Sequence, residues 1–74
     1  MNPQSEILAH YLRGESLTVL EALRLYHSTE LRRINSRINA ELLPEGKMIV
    51  GEFEPGQNYK RYWLVKTTQI RMVI

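Results

Sequence analysis

The residues that offer chemistry cluster between positions 28 and 41. Arg32, Arg33 and Arg37 carry planar guanidinium forks that pair bidentately with guanine edges or phosphates. Asn35, Ser36 and Asn39 interleave short donors and acceptors suited to base edges or phosphate oxygens. Asn39, Ser36 and Arg32 or Arg33 point most nearly away from the neighbouring apolar positions, which makes them the first candidates for base contact. Ser28 and Thr29 precede the cluster, where a helix N-terminus would meet a phosphate. Carboxylates in this stretch are confined to its ends, Glu30 and Glu41. A merely solvated helix face normally mixes the signs of its charges.

A second basic group lies further on. Lys60 and Arg61, with Lys47 and Lys66, are placed to clamp a phosphate backbone. Glu52 and Glu54 stand close to them and would repel one. These two carboxylates, together with Tyr59 and Trp63, instead suit a protein partner, because exposed aromatic rings beside arginine make interface hot spots.

Other chemistries find little support. The chain has no cysteine, which removes disulfides, thiolate metal sites and a catalytic thiol. His10 and His27 lie in different segments with no carboxylate at a metal-ligand spacing, and both read as structural. No acid–base pair of carboxylates and no glycine-rich phosphate loop stands out. The expectation is a non-enzyme without cofactor or metal.

The elements that must position these residues are legible from caps and periodicity. Asn2 and Pro3 open a first helix over about 3–13, with Asn2 as N-cap and Pro3 at the first helical position. Ile7, Leu8, Tyr11 and Leu12 supply its apolar face, and Gly14 a left-handed stop. Thr18 and Glu21 have the spacing of a reciprocal capping box. Behind it, Val19, Leu20, Ala22, Leu23 and Tyr26 form a short apolar helix over about 19–26. A third helix spans about 29–42, where Leu31, Ile34, Ile38 and Leu42 make an inner stripe. Ser28 or Thr29 caps it, and Pro44-Glu45-Gly46 ends it.

From Lys47 the pattern changes to period two. Strands are expected over about 47–53 and 59–66, joined by a turn centred on Pro55-Gly56. Tyr62 and Leu64 face one way, with Tyr59, Arg61 and Trp63 on the other face. Residues 67–74 read equally as a further strand or a docked tail. Three helices followed by a β-hairpin is the order of an α+β winged helix-turn-helix domain, in which the hairpin closes the open side of the helices.

Length and charge fit that scale. The 74 residues make one domain with a small core and a thin stability margin. Residues 1–31 carry a balance of −2 and residues 32–74 a balance of +4, an asymmetry that suggests a polyanion-facing side. No run approaches the roughly 18 apolar residues of a membrane span, and the N-terminus lacks the pattern of a signal peptide. The expected setting is the cytoplasm, without membrane contact.

The run Ser16-Leu17-Thr18-Val19-Leu20-Glu21-Ala22-Leu23-Arg24-Leu25-Tyr26, then Leu31-Arg32-Arg33-Ile34 and Tyr62-Trp63-Leu64, resembles the small helix-turn-helix domains common in bacteriophage and prophage genomes. The resemblance covers roughly residues 5–65. It implies a winged-helix fold and binding of double-stranded DNA in a phage setting, hence the cytoplasm of a host cell.

Two functional expectations follow. The first is a DNA-binding module, a small phage-type transcriptional regulator or architectural factor that lays its third helix in the major groove. Its contacts would be Ser28, Thr29, Arg32, Arg33, Ser36, Arg37, Asn39, Lys60 and Arg61. The second is a phage-type effector that uses the same scaffold to bind and inhibit a host protein, through Glu52, Glu54, Tyr59 and Trp63. Met48, Val50, Met72 and Ile74 add apolar surface that a homodimer or a docked protein would cover.

Overall fold

Two helix starts are fixed by side chains that satisfy otherwise unpaired backbone N–H groups. Asn2 Oδ1 accepts from the Ser5 amide at 2.8 Å, and Pro3 takes the first helical position, where a missing N–H costs nothing. Thr18 Oγ1 accepts from the Glu21 amide at 3.1 Å while the Glu21 carboxylate accepts from the Thr18 amide at 3.1 Å. These caps open the first two of three helices in a computed structural model that describes residues 2–67. The elements run α1 (Pro3–Leu12), β1 (Leu17–Thr18), α2 (Val19–Tyr26), α3 (Leu31–Leu42), a 3-10 turn (Leu43–Glu45), β2 (Lys47–Phe53) and β3 (Lys60–Lys66). The reading of residues 68–74 as strand or tail lies outside the described residues.

Among the described residues the architecture is α+β, with helices α1–α3 against a three-stranded antiparallel sheet of order β1-β3-β2. β2 and β3 form the hairpin, in a register that places Ile49 opposite Leu64, Gly51 opposite Tyr62 and Phe53 opposite Lys60. Glu54 to Gln57 make its turn, closed by Gln57 N–H donating to the Glu54 carbonyl at 3.0 Å. Pro55 and Gly56 occupy the centre, and Gly56 has φ +75°, the left-handed value a type II turn requires at that position. The short strand β1 joins the other side of β3, with Leu17 opposite Tyr62 and Thr18 opposite Arg61. Sequence periodicity does not reveal β1, because two residues are too few to show an alternation.

The core gathers Ile7 and Tyr11 of α1, Leu17, Ala22, the α3 residues Leu31, Ile34, Ile38 and Leu42, and Ile49 of the hairpin. Leu8, Val19, Tyr26, Tyr62 and Leu64 pack at its edge. The α3 stripe is therefore the one its spacing predicts. Leu12 is not part of the core and is exposed. At 3.6 residues per turn it sits about 140° round the helix from Ile7, whereas His10, nearer Ile7, is buried. His10 Nε2 donates to the Ser16 carbonyl at 2.8 Å, which leaves Nδ1 to accept from the Tyr26 hydroxyl at 2.7 Å. Helix α2 is less buried than its composition suggests, since of its apolar residues Ala22 alone is fully enclosed and Leu20, Leu23 and Leu25 are exposed.

The turn between α2 and α3 bends through His27, a non-glycine residue at φ +54°. Its amide donates to the Leu23 carbonyl at 3.0 Å and the Ser28 amide to the Ala22 carbonyl at 3.3 Å, so the end of α2 is satisfied. Helix α3 then starts at Leu31, two residues after its expected start. The left-handed backbone of His27 should carry a local cost, because a Cβ crowds the following carbonyl there. Replacing His27 by Gly is expected to stabilise the domain by about 0.5–1 kcal/mol, and His27→Val to destabilise it by about 1–2 kcal/mol, in urea unfolding followed by circular dichroism.

Candidate nucleic-acid interface

The inner face of the hairpin changes character along its length. Ile49 enters the core with Leu64 packed at its edge, Gly51 and Tyr62 come next, and Phe53 and Lys60 extend past it towards the turn. Gly51 is shaped by its cross-strand partner. A Cβ at this position would lie 2.6 Å from Tyr62 Cδ1, so the absence of a side chain lets the ring lie across β2. Tyr62 thereby lines both of two adjoining grooves between α3 and the hairpin.

The larger groove has a volume of about 420 Å³ and is walled by Val19, Arg32, Phe53, Tyr59, Lys60 and Tyr62. Lys60 Nζ stands 5.1 Å from the centre of the Phe53 ring, a cation–π contact across the hairpin. The smaller groove continues along α3 past Arg32, Ser36 and Asn39 to Ile49 and Gly51. Arg32 and Tyr62 belong to both, so the two form one path from the flank of α3 to the hairpin's end.

Of the residues singled out from sequence, this path brings together Arg32, Ser36, Asn39 and Lys60. Arg32 and Ser36 are exposed. Asn39 is half-buried, and its Oδ1 accepts from the Ile49 amide, tying α3 to β2 and leaving only its Nδ2 free to act outward. Tyr59 also lines the path, not the opposite face where strand alternation put it, because it precedes the first residue of β3.

The remaining candidates are elsewhere. Thr29 and Arg37 flank a separate cleft against the start of α1, with Asn2, Gln4 and His27. Ser28 shares that cleft but is buried, and its Oγ accepts from the Glu30 amide at 3.3 Å, so it shapes the turn. Arg33 lies on the outer surface of α3 and pairs with Glu30 at 2.9 Å. Asn35 is only 6% exposed. It sits one turn from Leu31 on the inner stripe, and its Oδ1 accepts from the Tyr11 hydroxyl at 2.8 Å. Burial pushes the Tyr11 phenol well above its ordinary range, against the lowering effect of that hydrogen bond. The Asn35 Nδ2 is covered and has no acceptor among the described residues.

Arg61 is not available as a clamp. Its Nε donates to Glu54 at 2.9 Å, and its Nη1 to Ser16 at 3.0 Å and Glu21 at 3.1 Å. The hydrogen bonds to Glu54, then to Glu21, hold its guanidinium above the ordinary arginine range. The same contacts pair Glu54, so one of the two carboxylates that would repel a phosphate is already engaged within the fold. Glu52 is exposed, and Trp63 is half-buried on the outer face of the hairpin, opposite Val50. The sequence reading passed over Phe53, although period two from Ile49 through Gly51 places it on the face of Tyr62 and Lys60.

Among the described residues, no cluster of three His, Asp or Glu side chains is placed to hold a metal ion. No helix among them is long and apolar enough to cross a membrane. No protein-family model, no curated protein and no solved structure matches the chain.

The floor of the groove depends on Gly51. Gly51→Ala forces the Tyr62 ring off β2 and is expected to lower stability by about 1–3 kcal/mol, measured by denaturant unfolding. The same change at Gly56 meets no neighbour, and its cost should be limited to that of its left-handed backbone.

Proposed function

We propose that the chain is a DNA-binding module of the winged helix-turn-helix type, without catalytic activity. In this reading α2, the His27 turn and α3 form the helix-turn-helix, α3 lies in the major groove, and β2–β3 is the wing. The observation that carries it is the exposed face of α3. Arg32, Ser36, Arg33 and Arg37 run across it, the helix carries carboxylates at its ends alone, Glu30 and Glu41, and its Arg32 edge opens onto the groove leading to Lys60. The pairing of Glu54 with Arg61 adds to it, since it offsets one of the hairpin's two carboxylates that would repel a phosphate backbone. Asn39 contributes through its free amide nitrogen, and Thr29 and Arg37 reach the backbone on the far side of the helix. The resemblance to small phage and prophage domains makes a transcriptional regulator or architectural factor acting in a host cytoplasm the role we favour.

A second reading, an effector that binds a host protein, is favoured by the exposed leucines Leu20, Leu23 and Leu25 of α2. Its hairpin residues give it less support. Glu54 is engaged by Arg61, Tyr59 lies in the groove, and only Glu52 and Trp63 stay on the hairpin's other surfaces.

The two readings separate in a titration of a fluorescently labelled duplex followed by anisotropy at two salt concentrations. Binding should weaken steeply with salt. Alanine at Arg32, Arg33 or Arg37 should each reduce the log–log salt slope by roughly 0.9 where the side chain meets a phosphate. No binding at low salt would remove the DNA reading and leave the protein-binding one.

A further inference from the structure

The groove beside α3 holds more aromatic surface than a phosphate backbone can use. Phosphates are recognised by cations and N–H donors, which Arg32 and Lys60 supply. Yet Phe53, Tyr59 and Tyr62 line the same groove. No ring of the three stacks on another among the described residues, so their faces are not occupied by one another. Phe53 is 64% exposed, the most exposed large apolar side chain described, although a hydrophobic ring in water gains nothing for the fold. Among the described residues, its ring contact is the Lys60 ammonium.

Flat apolar rings next to two cations match a ligand with a planar ring and an anion on one unit. A nucleotide is such a ligand. In an intact duplex the base faces are covered by their neighbours, and only an unpaired base has a π-face to offer. The volume of about 420 Å³ lies within the roughly 300–1,000 Å³ range of small-ligand clefts. Asn35 adds a second mark in the wall where the groove continues beneath Arg32 and Tyr62. Its Nδ2 is a buried donor without an acceptor among the described residues, a condition usually completed by water or a ligand.

Resting on the DNA-binding reading, we propose that this groove takes one unpaired nucleobase of the bound DNA. The base stacks against Phe53 and Tyr59 over the Tyr62 floor, and its phosphate lies between Arg32 and Lys60. The preferred target is therefore duplex DNA interrupted by a bulged, mismatched or single-stranded nucleotide. Continuous duplex binds through α3 and Lys60 without the stacked base, and more weakly.

The test compares two labelled duplexes of the same sequence, one continuous and one with a single bulged 2-aminopurine. The protein should bind the bulged duplex about tenfold more tightly, the factor that one base–aromatic stack contributes. The 2-aminopurine emission should change in step with the anisotropy. In Phe53→Ala and Tyr59→Ala the affinity for the bulged duplex should fall to that for the continuous one, with circular dichroism confirming that both variants fold. Leu25→Ala, on the exposed surface of α2, should keep the full preference. Equal affinity for the two duplexes with unchanged emission would overturn the proposal while the DNA-binding reading stands. No binding to either duplex would overturn both.

Discussion

The arrangement of helices and hairpin depends on Arg61. Its guanidinium joins Glu54 at the hairpin turn, Ser16 before β1 and Glu21 in the first turn of α2. Glu21 is at the same time the carboxylate that caps α2 through the Thr18 amide. One cation therefore links the start of the second helix, the short strand and the end of the hairpin. Thr18 and Arg61 are also direct partners in the sheet, so backbone pairing and side-chain pairing reinforce the same contact. Partly exposed ion pairs contribute little singly, but a shared network with bound hydroxyl and capping roles fixes geometry more firmly than an isolated pair. What it fixes is the hairpin turn relative to Ser16 and the start of α2, while the Asn39 bond to the Ile49 amide ties the hairpin to α3.

This commitment has an electrostatic consequence. Arg61 and Glu54 compensate one another's charge, while Arg32, Arg33 and Arg37 of α3 stay exposed and Lys60 lines the groove. The domain's modest net charge of +2 understates the bias of this side. A domain of 74 residues has little core with which to hold an extended hairpin in place. The Arg61 network, the Asn39 bond to the Ile49 amide and the Thr67 amide bond to the Gly46 carbonyl at 2.8 Å supply that anchoring by polar means.

Much of the fold was legible because it is locally encoded. The caps at Asn2 and Thr18, the Leu31–Ile34–Ile38–Leu42 stripe and the Pro55-Gly56 turn each follow from residues within a few positions of one another. The departures all involve partners distant in sequence or roles that residue type disguises. β1 exists only because Leu17 and Thr18 pair with Tyr62 and Arg61. Asn35 looks like a surface amide, yet its place on the Leu31 side of α3 buries it beside Tyr11. His27 adopts a backbone that composition assigns to glycine. At the candidate site, Arg32, Ser36 and Lys60 could be named from charge and periodicity alone. That Arg61 is engaged, and that Phe53 and Tyr62 shape the groove, required the hairpin's register against α3.

The central claim is that α3 and the inner face of the hairpin form a single nucleic-acid surface. The most direct test is amide chemical-shift mapping by NMR during titration with duplex DNA at low salt. The account predicts perturbations concentrated at Arg32, Arg33, Ser36, Arg37 and Lys60, with α1 and the leucines of α2 unmoved. Perturbations centred on Leu20, Leu23 and Leu25, or none at all, would contradict it.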